Sequence, residues 1–200
     1  VAVGDEDVIG ATAEGESSAA RYDVSVTQLA RAEKDRSVGF GSSLSEVKAG
    51  KLLIGTAGDS DGPYEIKIEV GDQLEDVVDK INASGAKVDA SIVSDGSHSY
   101  LQIVAADSGF EVGGNADDAI TISESYTGAT GQGLGLTQAV VAQNARLSVD
   151  GLAVESRTNQ PTDIVAGITL DLKKVGSSTL SIATDKAGTK TKLETFVTRT

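Results

Sequence analysis

The stretch Leu74-Glu75-Asp76-Val77-Val78-Asp79-Lys80-Ile81-Asn82-Ala83-Ser84-Gly85, followed by Val88-Asp89-Ala90-Ser91-Ile92-Val93-Ser94-Asp95-Gly96, decides how the chain is read. Leu74, Val77, Val78 and Ile81 fall at i, i+3, i+4 and i+7, one apolar stripe along a helix. Asp72 stands where it can cap the first turn, with Glu75 three residues later in capping-box position. Gly85 is placed to end the helix near its C-cap. From Val88 the period changes to two. Val88, Ala90 and Ile92 alternate into Asp95-Gly96, a hairpin signal, and the pattern returns through Leu101, Ile103 and Ala105. The stripe of the helix is expected to pack on this neighbouring sheet.

Upstream, Tyr64, Ile66, Ile68 and Val70 alternate against Glu65, Lys67 and Glu69, a half-buried strand with one wet face. Lys51 to Gly55 reads as a short apolar strand, and Asp59-Ser60-Asp61-Gly62-Pro63 as a turn. Ile120 and Ile122 mark one more strand. Gly39-Phe40-Gly41-Ser42-Ser43 reads as a junction, and Gly128 to Gly135 as a flexible link.

The flanks differ in character from this middle. Tyr22-Asp23-Val24-Ser25-Val26 alternates with period two, and Ala11 to Ala20 before it is a loop or weak edge strand. Arg31 to Arg36 is crowded with charge and reads as a solvated continuation. Ala145 to Val149, an Asp150-Gly151 turn and Leu152 to Glu155 make a tight hairpin. Ile168, Leu170 and Leu172 alternate, as do Leu180 and Ile182, and Lys190 to Thr200 takes helical spacing through Leu193, Phe196 and Val197. The expected fold class is β-rich α+β: two small antiparallel β domains, one inserted in the other, with one or two short helices. Residues 1–38 and 137–189 are expected to form a discontinuous β domain, residues 39–136 the inserted α+β domain, and residues 190–200 the start of a further helix.

Composition narrows the function classes. The chain has 200 residues, 39% hydrophobic but only 4% aromatic and without Trp, so its cores are built from Val, Ile, Leu and Ala. The 23 Gly against 2 Pro say that it turns often and mostly on glycine. A net charge of −13 makes nucleic acid and anionic membrane surfaces poor partners. With no Cys, disulfides, thiolate metal sites and Cys nucleophiles are excluded. No apolar run approaches the ~18 residues of a membrane-spanning helix. The chain contains no Met and begins and stops mid-pattern, which reads as an excised fragment.

Three stretches together resemble the flagellar filament cap family, hook-associated protein 2. The first is Tyr22-Asp23-Val24-Ser25-Val26-Thr27-Gln28-Leu29-Ala30. The second is Asp76 to Gly85 followed by Val88 to Gly96, similar to the flagellin hook IN motif, a helix ending in Ile-Asn that leads to a strand. The third runs through Asn144-Ala145-Arg146-Leu147-Ser148-Val149-Asp150-Gly151, Arg157-Thr158-Asn159 and Thr162 to Leu172. Each piece is weakly specific, but their order and spacing cover nearly all of the chain, and the third points to the cap. The resemblance implies two β-rich domains, one inserted in the other, above a helical coiled-coil stalk, with residues 190–200 its stump. It implies an extracellular structural protein at the distal tip of the filament, exported through the flagellar type III pathway, that promotes flagellin folding and insertion. The partners it implies are further copies of itself in a ring, flagellin, a hook-junction protein and a dedicated export chaperone, with neither nucleic acid nor membrane. Other readings remain open: a tip adhesin module binding host glycan or mucin, or another axial protein such as a flagellin outer domain or hook-junction protein.

Motifs that could carry chemistry are incomplete. His98, the single histidine, sits between Ser97 and Ser99 after the Asp95-Gly96 turn, where an exposed hairpin residue is expected, and no G-x-S-x-G elbow accompanies it. Asp59-Ser60-Asp61-Gly62 resembles the start of a calcium loop, but its twelfth position is Val70 where an EF-hand needs Glu. Asp117-Asp118 reads as loop solvation. Gly131-Gln132-Gly133-Leu134-Gly135 lacks the Gly-Lys-Ser/Thr of a P-loop, and Gly39-Phe40-Gly41 lacks a helix with a third glycine in register. Tyr22, Tyr64, Tyr100 and Tyr126 are the only tyrosines available as sugar platforms, and the first three fall in strands. Hence no catalytic, cofactor-binding or metal residue is expected, no cofactor is expected, and the chain is not read as an enzyme.

Overall fold

The computed structural model describes residues 1–13 and 19–183. In chain order the strands are β1 (Ala2–Val3), β2 (Ile9–Ala13), β3 (Ala20–Gln28), β4 (Lys34–Arg36), β5 (Gly50–Thr56) and β6 (Tyr64–Ile68). After helix α1 (Leu74–Ala83) come β7 (Val88–Ser94), β8 (Ser99–Ala105), β9 (Ile120–Tyr126) and β10 (Thr137–Val140). The last are β11 (Ala145–Val149), β12 (Leu152–Ser156), β13 (Thr162–Val165), β14 (Ile168–Leu172) and β15 (Gly176–Ile182). The pairs β1–β15, β15–β3, β3–β11, β13–β14, β14–β2, β10–β4, β4–β8, β8–β7, β6–β5 and β5–β9 are antiparallel. The chain is β-rich α+β, as the alternating patterns predict. The helical spacing read over residues 190–200 lies outside the described residues.

The chain divides into two compact units. The first comprises residues 1–29, 146–154 and 159–200. It holds a five-stranded sheet in the order β1-β15-β3-β11-β12 and a three-stranded sheet in the order β13-β14-β2. Alternation decides which residues go inside: Val24, Val26, Leu147, Val149, Leu180 and Ile182 from the larger sheet, and Ile9, Ile168, Leu170 and Leu172 from the smaller, are buried. The Asp150-Gly151 turn is the expected tight hairpin, with both residues at positive φ, 48° and 83°. Asp150 Oδ1 also accepts from the Asp23 N–H at 2.8 Å, which ties the turn to β3.

The second unit comprises residues 30–145 and 155–158. It has a four-stranded sheet, β10-β4-β8-β7, and a three-stranded sheet, β6-β5-β9. One apolar cluster joins Leu52, Ile54, Ile66 and Ile68 of the smaller sheet, Leu101 and Ile103 of the larger, and Leu74, Val77 and Ile81 of α1. Those three belong to the four-residue stripe read from the sequence and are fully buried, while the fourth, Val78, is partly buried against the same cluster. Each of the fully buried three contributes about 1.5–3 kcal/mol by leaving water. The cap of α1 lies one residue later than the sequence suggests. Gln73 is the N-cap, and the Asp76 carboxylate, three residues on, accepts from its N–H at 2.8 Å. Asp72 is occupied elsewhere, accepting from the Glu69 N–H at 2.7 Å and pairing with Lys80. Ser84 closes the helix with its Oγ on the Ile81 carbonyl (2.7 Å), and Gly85 follows at φ 89°.

Three local expectations are overturned in this unit. Residues 31–36 are no solvated continuation: β4 sits between β10 and β8, and Glu33 and Asp35 are buried. Gly39 to Ser43 is no junction, because Phe40 is fully buried and exchanges two backbone hydrogen bonds with Ser99, each 2.8 Å. Gly128 to Gly135 is no flexible link. Gly128 N–H donates to the Ala49 carbonyl (2.9 Å), Lys48 N–H to the Gln132 carbonyl (2.9 Å), and Leu134 is fully buried. Glu124 and Tyr126 hold the end of that segment: the tyrosine hydroxyl accepts from Leu134 N–H (2.7 Å), and the carboxylate accepts from Gly135 N–H (3.1 Å) and Leu136 N–H (2.6 Å).

Candidate functional site

Residues weighed for chemistry do not converge. His98 is exposed on the β7–β8 turn, with its ring centroid 6.3 Å from that of Tyr100. Asp59 Oδ1 accepts from the Asp61 N–H at 3.2 Å, a polar turn. Asp117 and Asp118 lie in a single 3-10 turn, Ala116–Asp118, capped by Asn115. Among the described residues no group of three or more His, Asp or Glu side chains could hold a metal ion. Of the tyrosines, Tyr64 and Tyr126 pack on the apolar cluster, and the Tyr100 hydroxyl donates to Asp95 Oδ2 at 2.8 Å.

What the second unit does contain is polar side chains that organise backbone; besides Glu124 and Tyr126, two such places stand within the stretches quoted from the sequence. The first follows α1. Asn82, at the end of the helix, faces the outer edge of β7: its Nδ2 donates to the Ala90 carbonyl (3.0 Å) and its Oδ1 accepts from the Ala90 N–H (2.8 Å). One carboxamide therefore supplies the donor and the acceptor that a neighbouring strand would present to that residue. The Ile-Asn pair read from the sequence has a division of labour, Ile81 filling the core and Asn82 satisfying the sheet edge.

The second place is built by Asn144 and Arg157. Asn144 is 2% exposed; its Oδ1 accepts from Phe110 N–H and its Nδ2 donates to Glu155 Oε1, both at 2.8 Å. Arg157 Nη1 donates to Glu111 Oε1 (2.8 Å), and its Nη2 donates to the Ala57 carbonyl (3.2 Å) and reaches Asp107 (3.5 Å). The Arg157 carbonyl accepts from Ser108 Oγ at 3.3 Å. Gly109 passes so close that a Cβ there would stand 2.3 Å from the Arg157 carbonyl oxygen and 2.4 Å from Asn144 Oδ1. A forked guanidinium thus ties the segments at 57, 107–111 and 155–158 into one polar cluster. Asn144 and Arg157 both stand in the third stretch quoted from the sequence, which gave them no role; a polar residue beside an apolar strand start was the one available signal.

These two places coincide with two family models. Residues 55–107 match the flagellin hook IN motif, and residues 142–199 match the flagellar hook-associated protein 2 C-terminus. The chain also overlies the D2-D3 domains of the flagellar cap protein FliD from Escherichia coli with a TM-score of 0.75 and 31% identity, over 89% of this chain and 94% of that one. This chain belongs to the flagellar hook-associated protein 2 family. Among full-length relatives, it is 31% identical to the A-type flagellar hook-associated protein 2 of Pseudomonas aeruginosa over 96% of its own length. It is 31% identical to flagellar hook-associated protein 2 of Salmonella typhimurium over 68% of its length. The chain spans less than half of these relatives, 45% of the first and 30% of the second. The D1-D2-D3 structure from Escherichia coli gives a TM-score of 0.78 at 30% identity, covering 94% of this chain and 59% of that one.

Proposed function

We propose that this chain is the β-rich, outward part of a flagellar filament cap, a structural assembly protein that promotes flagellin folding and insertion at the growing tip. The observation that carries the reading is the overlap with the cap protein's D2-D3 domains across 94% of that structure. In this reading the first unit corresponds to a plate domain proximal to a coiled-coil stalk, and the second to the domain inserted in it. The protein acts outside the cell at the filament tip, after flagellar type III export. Its partners are other copies in a ring, flagellin, the hook-junction protein and an export chaperone.

The polar clusters of the second unit suit an assembly role better than a catalytic one. They spend their donors and acceptors on the chain's own backbone and carboxylates, and so hold loops rather than present groups to a ligand. Charge is distributed unevenly: the second unit has 19 acidic against 9 basic residues, net −10, and the first 11 against 8, net −3. Copies brought side by side through the second unit would repel at low salt, so a ring is held by other surfaces or by screened contacts.

Deletion of the parent gene tests the reading. The expected result is secretion of unpolymerised flagellin and loss of filaments, restored by the intact gene. Normal filaments in the deletion strain would overturn it.

A further inference from the structure

Strand β4 is three residues long yet lies inside a sheet, with β8 on one side and β10 on the other. Its register sets Asp35 beside Ile103 and Gln138. Ile103 is fully buried, so Asp35 shares the core side of the sheet, and Glu33, two residues earlier, shares it too. The two carboxyl residues are 6% and 2% exposed. The cations of the same strand leave by the other side: Lys34 is half-buried there, and Arg36 is exposed with its Nη2 donating to Gln102 Oε1 at 3.2 Å.

The groups facing the pair offer little compensation. From β10, Gln138 Nε2 donates to Glu33 Oε1 (2.8 Å), and from β9 the Ile120 N–H donates to Glu33 Oε2 (3.0 Å). From β8 the facing side chains are Leu101, Ile103 and Ala105, which carry no charge. The 3-10 turn contributes two more negative charges, Asp117 and Asp118, which act on Glu33. Asp35 Oδ2 is buried with no hydrogen-bond partner among the described residues. Two anions held here are costly, and a proton on the pair removes the repulsion between them.

We propose that Glu33 and Asp35 form a proton-operated latch in the second unit. Uptake of a proton tightens β4 between β8 and β10, and its loss near neutral pH loosens β4, β10 and the 116–118 turn. Burial, with the Glu33 charge adding to it, pushes Asp35 up to about 6, and burial raises Glu33 as well. A carboxyl whose folded value lies above its unfolded one binds more protons folded than unfolded. Its contribution is therefore greatest below the unfolded value near 4 and fades as pH rises through about 6. The acidic chain as a whole is also relieved of repulsion on approaching its isoelectric point, so the latch is read as the difference between wild type and a variant lacking the ionisable group.

The test is hydrogen exchange on the full 200-residue chain at pH 7.5 and pH 5, corrected for the intrinsic chemical rate. A shift of about two pH units is worth roughly a hundredfold over the whole titration. The unfolded carboxyl is still mostly ionised at pH 5, however, so the opening equilibrium changes by roughly tenfold between pH 7.5 and pH 5. Amides of residues 34–36 and 137–140 are expected to slow by up to that factor at pH 5. Asp35→Asn is expected to show at pH 7.5 the protection that wild type reaches only at pH 5. Equal wild-type protection at both pH values, or an Asp35→Asn profile that follows wild type, overturns the latch. Should Asp35→Asn not fold, carbon NMR titration of the wild-type Asp35 carboxyl decides: a midpoint near 6 supports it, and one near 4 overturns it.

Discussion

Asn82 and Ala90 are joined as two strands would be, side-chain carboxamide to backbone amide, with hydrogen bonds of 3.0 and 2.8 Å running in opposite directions. The arrangement occupies the outer edge of β7 at one residue, and β7 is the last strand of its sheet. Unpaired edges recruit other chains, and a side chain that imitates a strand removes one point of attachment.

Asn82→Ala is expected to cost about 1–3 kcal/mol, since it leaves the Ala90 N–H and carbonyl without their partner. Urea unfolding of the chain measures the loss. Asn82→Asp keeps an acceptor for the N–H but sets a carboxylate oxygen against the Ala90 carbonyl, so it is expected to be no better than alanine. Light scattering should show Asn82→Ala more prone to self-association than Val93→Ser, a substitution of an exposed residue on the same strand.

Arg157 gives a second prediction. Its fork reaches Glu111, Ala57 and Asp107 at once, and no single ammonium reproduces that geometry. Arg157→Lys is therefore expected to behave much like Arg157→Ala. Both should raise hydrogen exchange at residues 57–58 and 107–111 while leaving the β5–β9 ladder protected. Restoration of wild-type protection by lysine would show that charge alone, rather than the fork, holds these segments.

Two glycines separate conformational cost from crowding. Gly151 has φ 83° with nothing within 4 Å of a Cβ, so Gly151→Ala is expected to cost about 1–2 kcal/mol for the left-handed backbone alone. Gly109, at φ 64°, adds backbone and Asn144 oxygens under 3 Å from the same atom. Overpacking adds roughly 1–3 kcal/mol, so Gly109→Ala is expected to be the clearly worse of the two in thermal or urea unfolding.

The fold was legible wherever the signal was local. Leu74, Val77 and Ile81 declare a stripe by spacing alone, and Asp95-Gly96 and Asp150-Gly151 declare turns because glycine accepts positive φ. Where partners lie far along the chain, the reading failed. Glu33 and Asp35 look like surface residues until β8 and β10 close over them, some seventy and a hundred residues away. Leu134 looks like part of a glycine-rich link until Glu124 and Tyr126 bond the backbone around it. Asn144 and Arg157 likewise acquire meaning only from loops at 107–111, which no periodicity marks.

Asp95 offers a titration opposite in sign to that of Asp35. Its Oδ1 accepts from the Ser97 and His98 N–H groups, both at 2.8 Å, and its Oδ2 from the Tyr100 hydroxyl at 2.8 Å. These bonds, the two to backbone first, hold its carboxyl at about 2, below the usual 3.8. The folded state therefore binds fewer protons than the unfolded state in that interval. The turn is fully supported above about 4, and the support is lost as pH falls through about 2. Asp95→Asn keeps the shape but not the charge, so wild type should melt above the variant from pH 5 to 7 and the gap should close by pH 2. A gap that persists unchanged at pH 2 would mean that the turn depends on side-chain shape and not on the carboxylate.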